Sequence, residues 1–138
     1  MSSDTIISLL LGIPLSIITG LYSGAILSRY VRFSELRNET LRIIRTIDFM
    51  QEADGVSISK TDDIAKLILI SSDLYFLKHR KAAQTVNAIR SDIDKISRHA
   101  SIGRLKVGAF EQNYSNWQNM ARTLSPNKLV LWSLWAKL

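Results

Sequence analysis

Few residues in this chain have the types and spacings that catalysis needs. The only histidines are His79 and His99, and neither has an acidic neighbour at helical spacing that would complete a ligand set. His79 falls on an apolar stripe and reads as a packed imidazole. His99, beside Arg98, reads as part of a basic helix end, where positive charge favours the helix dipole. Asp92-x-Asp94 has the outline of a metal or phosphate-transfer pair. On a helix, however, residues two apart do not face each other, and no EF-hand glycine or glutamate follows. The chain has no cysteine, which removes disulfides, thiol nucleophiles and zinc–thiolate sites. It has no glycine-rich phosphate loop, GxSxG elbow or HExxH pair. The residues therefore predict a non-enzyme, with no catalytic or metal-binding residue, no cofactor and no identified small-molecule substrate.

Charge gives more support to a binding surface. The 138 residues carry a formal charge of +6 at pH 7. All 18 cationic side chains and all but one of the 12 acidic ones follow residue 28, so residues 29–138 carry +7. Such a balance favours anionic partners: a lipid surface, nucleic acid or an acidic protein. The densest basic group comprises Lys78, Arg80, Lys81, Arg90, Lys95, Arg98, Arg104 and Lys106. These positions do not form one stripe, and no helix-turn-helix or zinc module accompanies them. A solvated helix face is the plainer reading, and nucleic acid is not the favoured partner.

The element that must position these groups is the uncharged run 5–28, TIISLLLGIPLSIITGLYSGAILS, bounded by Asp4 and Arg29. Its twenty-four residues would reach about 36 Å as a helix, enough to cross a hydrocarbon core of ~30 Å. Twelve are Leu or Ile. The run predicts a retained transmembrane anchor over 1–28. A cleaved signal peptide fits less well, because the segment before it lacks Lys and Arg and the run exceeds the usual apolar region. Arg29, Arg32, Arg37, Arg42 and Arg45 follow it, so the positive-inside rule places the N-terminus outside and 29–138 in the cytoplasm of a plasma (inner) membrane. Arg29, Arg32 and Arg37 are then the expected contacts to anionic lipid, with Tyr30 at headgroup depth.

Ser8, Gly12, Ser16, Gly20, Gly24 and Ser28 recur at every fourth position, and Gly20–Gly24 is a GxxxG pair. Such a ridge lets a second helix backbone approach closely, as in a homo-oligomer or with a larger membrane protein. Pro14 leaves the Leu10 carbonyl without its usual donor and predicts a bend in the outer half.

Beyond the run, Phe33, Leu36, Thr40, Ile43, Ile47 and Met50 alternate spacings of three and four, the mark of one helix face. With neither Gly nor Pro between Ser28 and Glu52, one helix is predicted to run from the anchor to about Ala53-Asp54-Gly55. Residues 54–61 read as a loop, because the short alternation Val56–Ser59 has no evident partner strand. Thr61 is a plausible N-cap for the next segment. Over 62–99, Ile68, Ser72, Tyr75, His79, Ala82, Val86, Ile89, Ile93 and Ile96 continue a stripe, on one helix or on two broken near Lys78–Lys81. Gly103 marks the next boundary, and Val107, Phe110, Tyr114, Trp117, Ala121 and Leu124 form a third stripe. Ser125-Pro126 then reads as N-cap and first helical residue of a short apolar tail. Its Trp132 and Trp135 suit either the last piece of the core, a second subunit or an anchor at the membrane interface.

The predicted fold class is all-α: a single N-terminal transmembrane helix continuing into a cytoplasmic antiparallel bundle of three to four helices, 29–138. The leading function is an oligomeric assembly or interaction subunit of the membrane. A membrane-perturbing pore or toxin component is the alternative, because Ser, Thr and Gly could line a narrow path through an oligomer. A membrane-tethered basic domain binding nucleic acid or anionic lipid is a further one.

Overall fold

A computed structural model describes residues 3–52, 55–60, 62–102 and 105–133, and the side chains within these ranges apart from those of 3–11, 51, 52, 59, 60 and 62. The chain is mostly helical. Helix α1 (Ser3–Arg45) is followed by strands β1 (Asp48–Glu52) and β2 (Gly55–Lys60). A 3-10 turn (Asp62–Ala65) then leads into α2 (Lys66–Phe76), α3 (Arg80–Ser101), α4 (Val107–Arg122) and a short α5 (Lys128–Trp132). Helix α1 has 43 residues, about 64 Å at 1.5 Å per residue, and is unbroken through Ser28–Phe33. Among the described residues, no helix is long and apolar enough to cross a membrane. The side chains of 5–11, the first part of the uncharged run, lie outside them.

The second half of α1 forms a four-membered ring with α2, α3 and α4, and each neighbouring pair runs antiparallel. Along α1 and α2, Arg32 meets Asp73 at 3.8 Å. Further along, the charged form of Arg42 is favoured by its hydrogen bond to Glu39 and by the field of Asp63. Along α2 and α3, the buried Ser71 hydroxyl donates to the Ala83 carbonyl at 3.0 Å. Along α3 and α4, the Trp117 indole N–H donates to Asp92 at 2.6 Å. The core is built from Phe33, Leu36, Ile43, Ile44 and Ile47 of α1 and its end, Leu67, Ile70 and Leu74 of α2, Val86, Ile89 and Ile93 of α3, and Phe110, Trp117 and Ala121 of α4. Burying such side chains contributes roughly 1.5–3 kcal/mol each, which makes the ring the main source of stability.

Three expectations change. First, α1 ends at Arg45 rather than near Ala53, and Gly55–Lys60, within the loop expected over 54–61, form a strand. The Thr46 hydroxyl turns back to the Ile43 carbonyl at 2.8 Å, and the chain enters an antiparallel hairpin pairing Phe49 with Ile58 and Gln51 with Val56. The hairpin is held by partners distant in sequence. Phe49 packs on Phe110 at 4.5 Å between ring centroids, and Val56 donates its N–H to the Leu105 carbonyl at 3.2 Å. Met50, placed on the buried stripe by its spacing, is exposed. Residues 53 and 54, which join the strands and include the expected helix end, lie outside the described residues.

Second, residues 62–101 contain two helices. Helix α2 ends in a Schellman turn: His79 N–H bonds the Leu74 carbonyl at 2.8 Å and Lys78 N–H bonds the Tyr75 carbonyl at 2.9 Å. Lys78 occupies the left-handed position at φ 62° that glycine usually fills. The turn resets the helical phase. In α2 the buried residues are therefore Leu67, Ile70, Ser71 and Leu74, while Ile68, Ser72 and Tyr75 of the predicted stripe face outward. In α3 the predicted Ala82, Val86, Ile89 and Ile93 are buried.

Third, the tail helix opens at Lys128, not at Pro126. Asn127 is its N-cap and accepts from the Leu129 N–H at 3.1 Å. Thr61 and Gly103 lie outside the described residues.

Asp92 and Asp94 do not act as a pair, since Asp92 receives the buried indole and Asp94 receives Arg90 at 3.3 Å. Asp92→Ala should lower stability by about 1–3 kcal/mol, because it leaves the Trp117 N–H without its acceptor. Asp92→Asn should recover much of that loss. Denaturant midpoints at constant m-value check both.

Candidate functional site

The antiparallel ring brings one set of ends together beside the point where the uncharged run joins the bundle. This proximal end holds residues 29–33 of α1, the turn 77–79 between α2 and α3, and the segment 124–133 that carries α5. Its organising group is the pair Tyr22 and Arg29 on α1. A helix leaves its last carbonyls without partners, and α5 is too short to satisfy any but a few of its own. Tyr22 donates its hydroxyl to the Trp132 carbonyl at 2.7 Å. One Arg29 guanidinium nitrogen donates to the Ser133 carbonyl at 2.5 Å, with the Leu131 and Val130 carbonyls at 3.3 and 3.4 Å. A cation at a helix C-terminus is also favoured by the helix dipole.

His79 forms the second junction. It is buried, with its ring edge-on to Phe33 at 4.9 Å between centroids. Its Nδ1 accepts the Asn127 N–H at 3.1 Å, so the neutral ring carries its proton on Nε2. Burial pushes the His79 pKa down from its ordinary value. The expected packed histidine is thus also a tie between the α2–α3 turn and the tail.

A groove with a volume of about 760 Å³ opens between that turn and residues 125–130. Lys78, Arg80, Lys81 and Lys128 line it, and among the described residues no Asp or Glu does. Leu129, which also lines it, and Phe76 and Trp132 beside it are largely exposed.

The sequence-predicted residues are distributed unevenly over this picture. Arg29, expected at lipid phosphate, is turned toward the tail carbonyls. Arg32 bonds Glu35 at 3.3 Å and reaches Asp73 at 3.8 Å. Arg37 is half-buried, its Nε without a hydrogen-bond acceptor among the described residues. Gly12, Ser16, Gly20, Gly24 and Ser28 are all exposed. A Cβ added at Gly12, Gly20 or Gly24 would meet no atom within 4 Å, and the Ser16 hydroxyl bonds back to the Gly12 carbonyl at 2.8 Å. The Ser8 side chain and Trp135 lie outside the described residues. The Trp132 ring is exposed while its neighbour Leu131 is buried, so the tail packs on α1 and still presents an apolar outer side. The basic group splits. Lys78, Arg80 and Lys81 share the groove, whereas Arg90 and Arg98 border a separate cleft with Asp94. Lys106 is the N-cap residue of α4, and Arg104 lies outside the described residues.

Sequence reading missed Tyr22, Asn127, Lys128 and Leu129. Asn127 directly before an apolar run was a usable N-cap signal. No local signal links Tyr22 or Arg29 to residues a hundred positions away. No family model matches the chain, and no curated protein or solved structure is detectably similar to it.

Two outcomes test this arrangement. Arg29→Met removes a charge-assisted contact worth roughly 1.5–3 kcal/mol, so hydrogen exchange over 128–133 should rise while exchange in α3 stays unchanged. His79 is neutral in the folded chain with a lowered pKa, so its contribution is complete above the unfolded value near 6.5. It declines as pH falls below that, because the unfolded chain takes up the proton first. The slope should be at most about 1.4 kcal/mol per pH unit, and it should be absent in His79→Gln. Unfolding free energies measured at stepped pH give this slope.

Proposed function

We propose that this chain is a non-enzymatic, single-pass membrane protein that acts as an assembly or interaction subunit. Its N-terminus lies outside and its helical bundle lies on the cytoplasmic face of the plasma (inner) membrane. One observation carries the reading. Over residues 12–28, α1 leaves the bundle with Ile13, Leu15, Ile17, Ile18, Leu21 and Leu27 all more than half exposed. These residues occupy several sides of the helix, so no single groove could cover them. A patch of this size requires an apolar environment or a partner. The charge pattern, uncharged over 5–28 and then rich in arginine, supports lipid as that environment and favours this orientation.

The ridge Ser8, Gly12, Ser16, Gly20, Gly24 and Ser28 supports a second copy, or a helix of a larger membrane protein, as the partner within it. Open space around the glycines means that larger residues there cost the protomer nothing sterically.

The chain has no cysteine, so Ser16→Cys supplies a unique crosslinking site. In native membranes it should yield a disulfide-linked species that resists alkaline carbonate extraction. Adding Gly20→Leu and Gly24→Leu should lower that species about tenfold, from ~1–2 kcal/mol per interhelical contact, without changing unfolding of the bundle. Complete release by carbonate would refute the anchor, and crosslinking indifferent to both substitutions would refute the ridge.

A further inference from the structure

We infer that the groove at the proximal end of the bundle is a binding site for the phosphate of an anionic phospholipid headgroup, with Phe76, Leu129 and Trp132 inserting beside it. This rests on the membrane reading above, which places the proximal end next to the bilayer. Three independent features of the structure converge there.

The first is charge. Lys78, Arg80, Lys81 and Lys128 come from two separate segments and line one groove of about 760 Å³. None of the four pairs with a carboxylate among the described residues, whereas Arg32, Arg42, Lys66 and Arg90 elsewhere all do. Four cations in a groove that no Asp or Glu lines among the described residues form a positive concavity that selects an anion. The start of α3, which has no side-chain cap and no acidic residue in its first turn, adds to the same field.

The second is the apolar rim. Phe76 is 79% exposed, Leu129 83% and Trp132 63%. Phe76 ends α2 two residues before Lys78, and Leu129 lines the groove itself. Aromatic and aliphatic side chains interleaved with lysine are the composition of a surface seated at headgroup depth. A soluble phosphate compound would leave these three in water.

The third is position. The Trp132 carbonyl is bonded to Tyr22, inside the uncharged run, and Val130 to Ser133 are gathered by Arg29 at its end. The groove and its rim are therefore continuous with the uncovered side of α1. Its cations stand where lipid phosphates begin if that run is in hydrocarbon.

The test uses the full chain with Trp135→Phe, reconstituted into nanodiscs of phosphatidylcholine alone or mixed with phosphatidylglycerol. Brominated acyl chains serve as the quencher. Trp132 should be quenched, and the ratio of quenched to unquenched emission should rise severalfold with phosphatidylglycerol. Trp117, fully buried, stays unquenched and reports an intact bundle. Lys81→Gln/Lys128→Gln should weaken the underlying equilibrium by about thirtyfold, the equivalent of two basic residues near an anionic surface, and so return the ratio to its value in phosphatidylcholine alone. Both positions are exposed, so the fold tolerates the change. Quenching that ignores phosphatidylglycerol, or ignores the double substitution, overturns the inference. So does saturable binding of inorganic phosphate in detergent micelles combined with indifference to phosphatidylglycerol. Failure of the anchor is distinct: the chain would then be released from vesicles by alkaline carbonate while still floating with phosphatidylglycerol vesicles before the wash.

Discussion

The proximal end depends on how five helical residues satisfy their own carbonyls. Helix α5 has too few turns to do so internally, and it ends against α1 rather than in open solvent. Tyr22 and Arg29 supply the missing donors. This constraint fixes the tail at one height on α1, the end of the uncharged run. It also decides the outward direction of Leu129 and Trp132, because Leu131 must face the protein if the carbonyls face Arg29. An arginine that topology alone would assign to lipid therefore also holds α5 in place.

His79 transmits that placement into the bundle. Its backbone closes the α2 helix, its ring packs on Phe33 of α1, and its Nδ1 holds Asn127 at the start of α5. Three elements meet at one uncharged side chain, surrounded by cations that belong to the groove. A neutral imidazole suits this position because it fills apolar space and still offers one acceptor. The left-handed Lys78 next to it has a positive charge where glycine would give an easier turn. Backbone cost of this kind persists where the surrounding structure fixes it, and here it projects a lysine into the groove.

Much of the bundle was legible in residue spacing. The Val86, Ile89, Ile93 stripe and the Phe110, Trp117, Ala121 stripe are buried as their periodicity required. A helix interior leaves that periodicity unchanged from end to end. The errors arose where one period was carried across a break. The Schellman turn at Lys78 rotated the phase, which sent Ile68 and Tyr75 outward and Leu67 and Leu74 inward. The hairpin was hidden for a different reason. Residues 48–60 contain too little apolar surface to form strands alone, and Phe49 and Val56 acquire their partners only from α4 and from Leu105. In the candidate site the lysines around position 80 were visible as charge. Their partner Lys128 was not, because it lies almost fifty residues away.

By itself the sequence determined a long uncharged helix, a basic and mostly helical remainder, three amphipathic faces and the absence of any cysteine thiol. Each of these follows from composition or from contacts within a few residues, where helical geometry acts alone. Tertiary structure decided where α1 ends, which face α2 buries, and that the C-terminal segment returns to the end of the uncharged run. The first and last of these depend on contacts between residues separated by about fifty to more than a hundred positions, whereas the face of α2 follows from the Schellman turn that closes it. Only closure of the antiparallel ring brings such residues within reach.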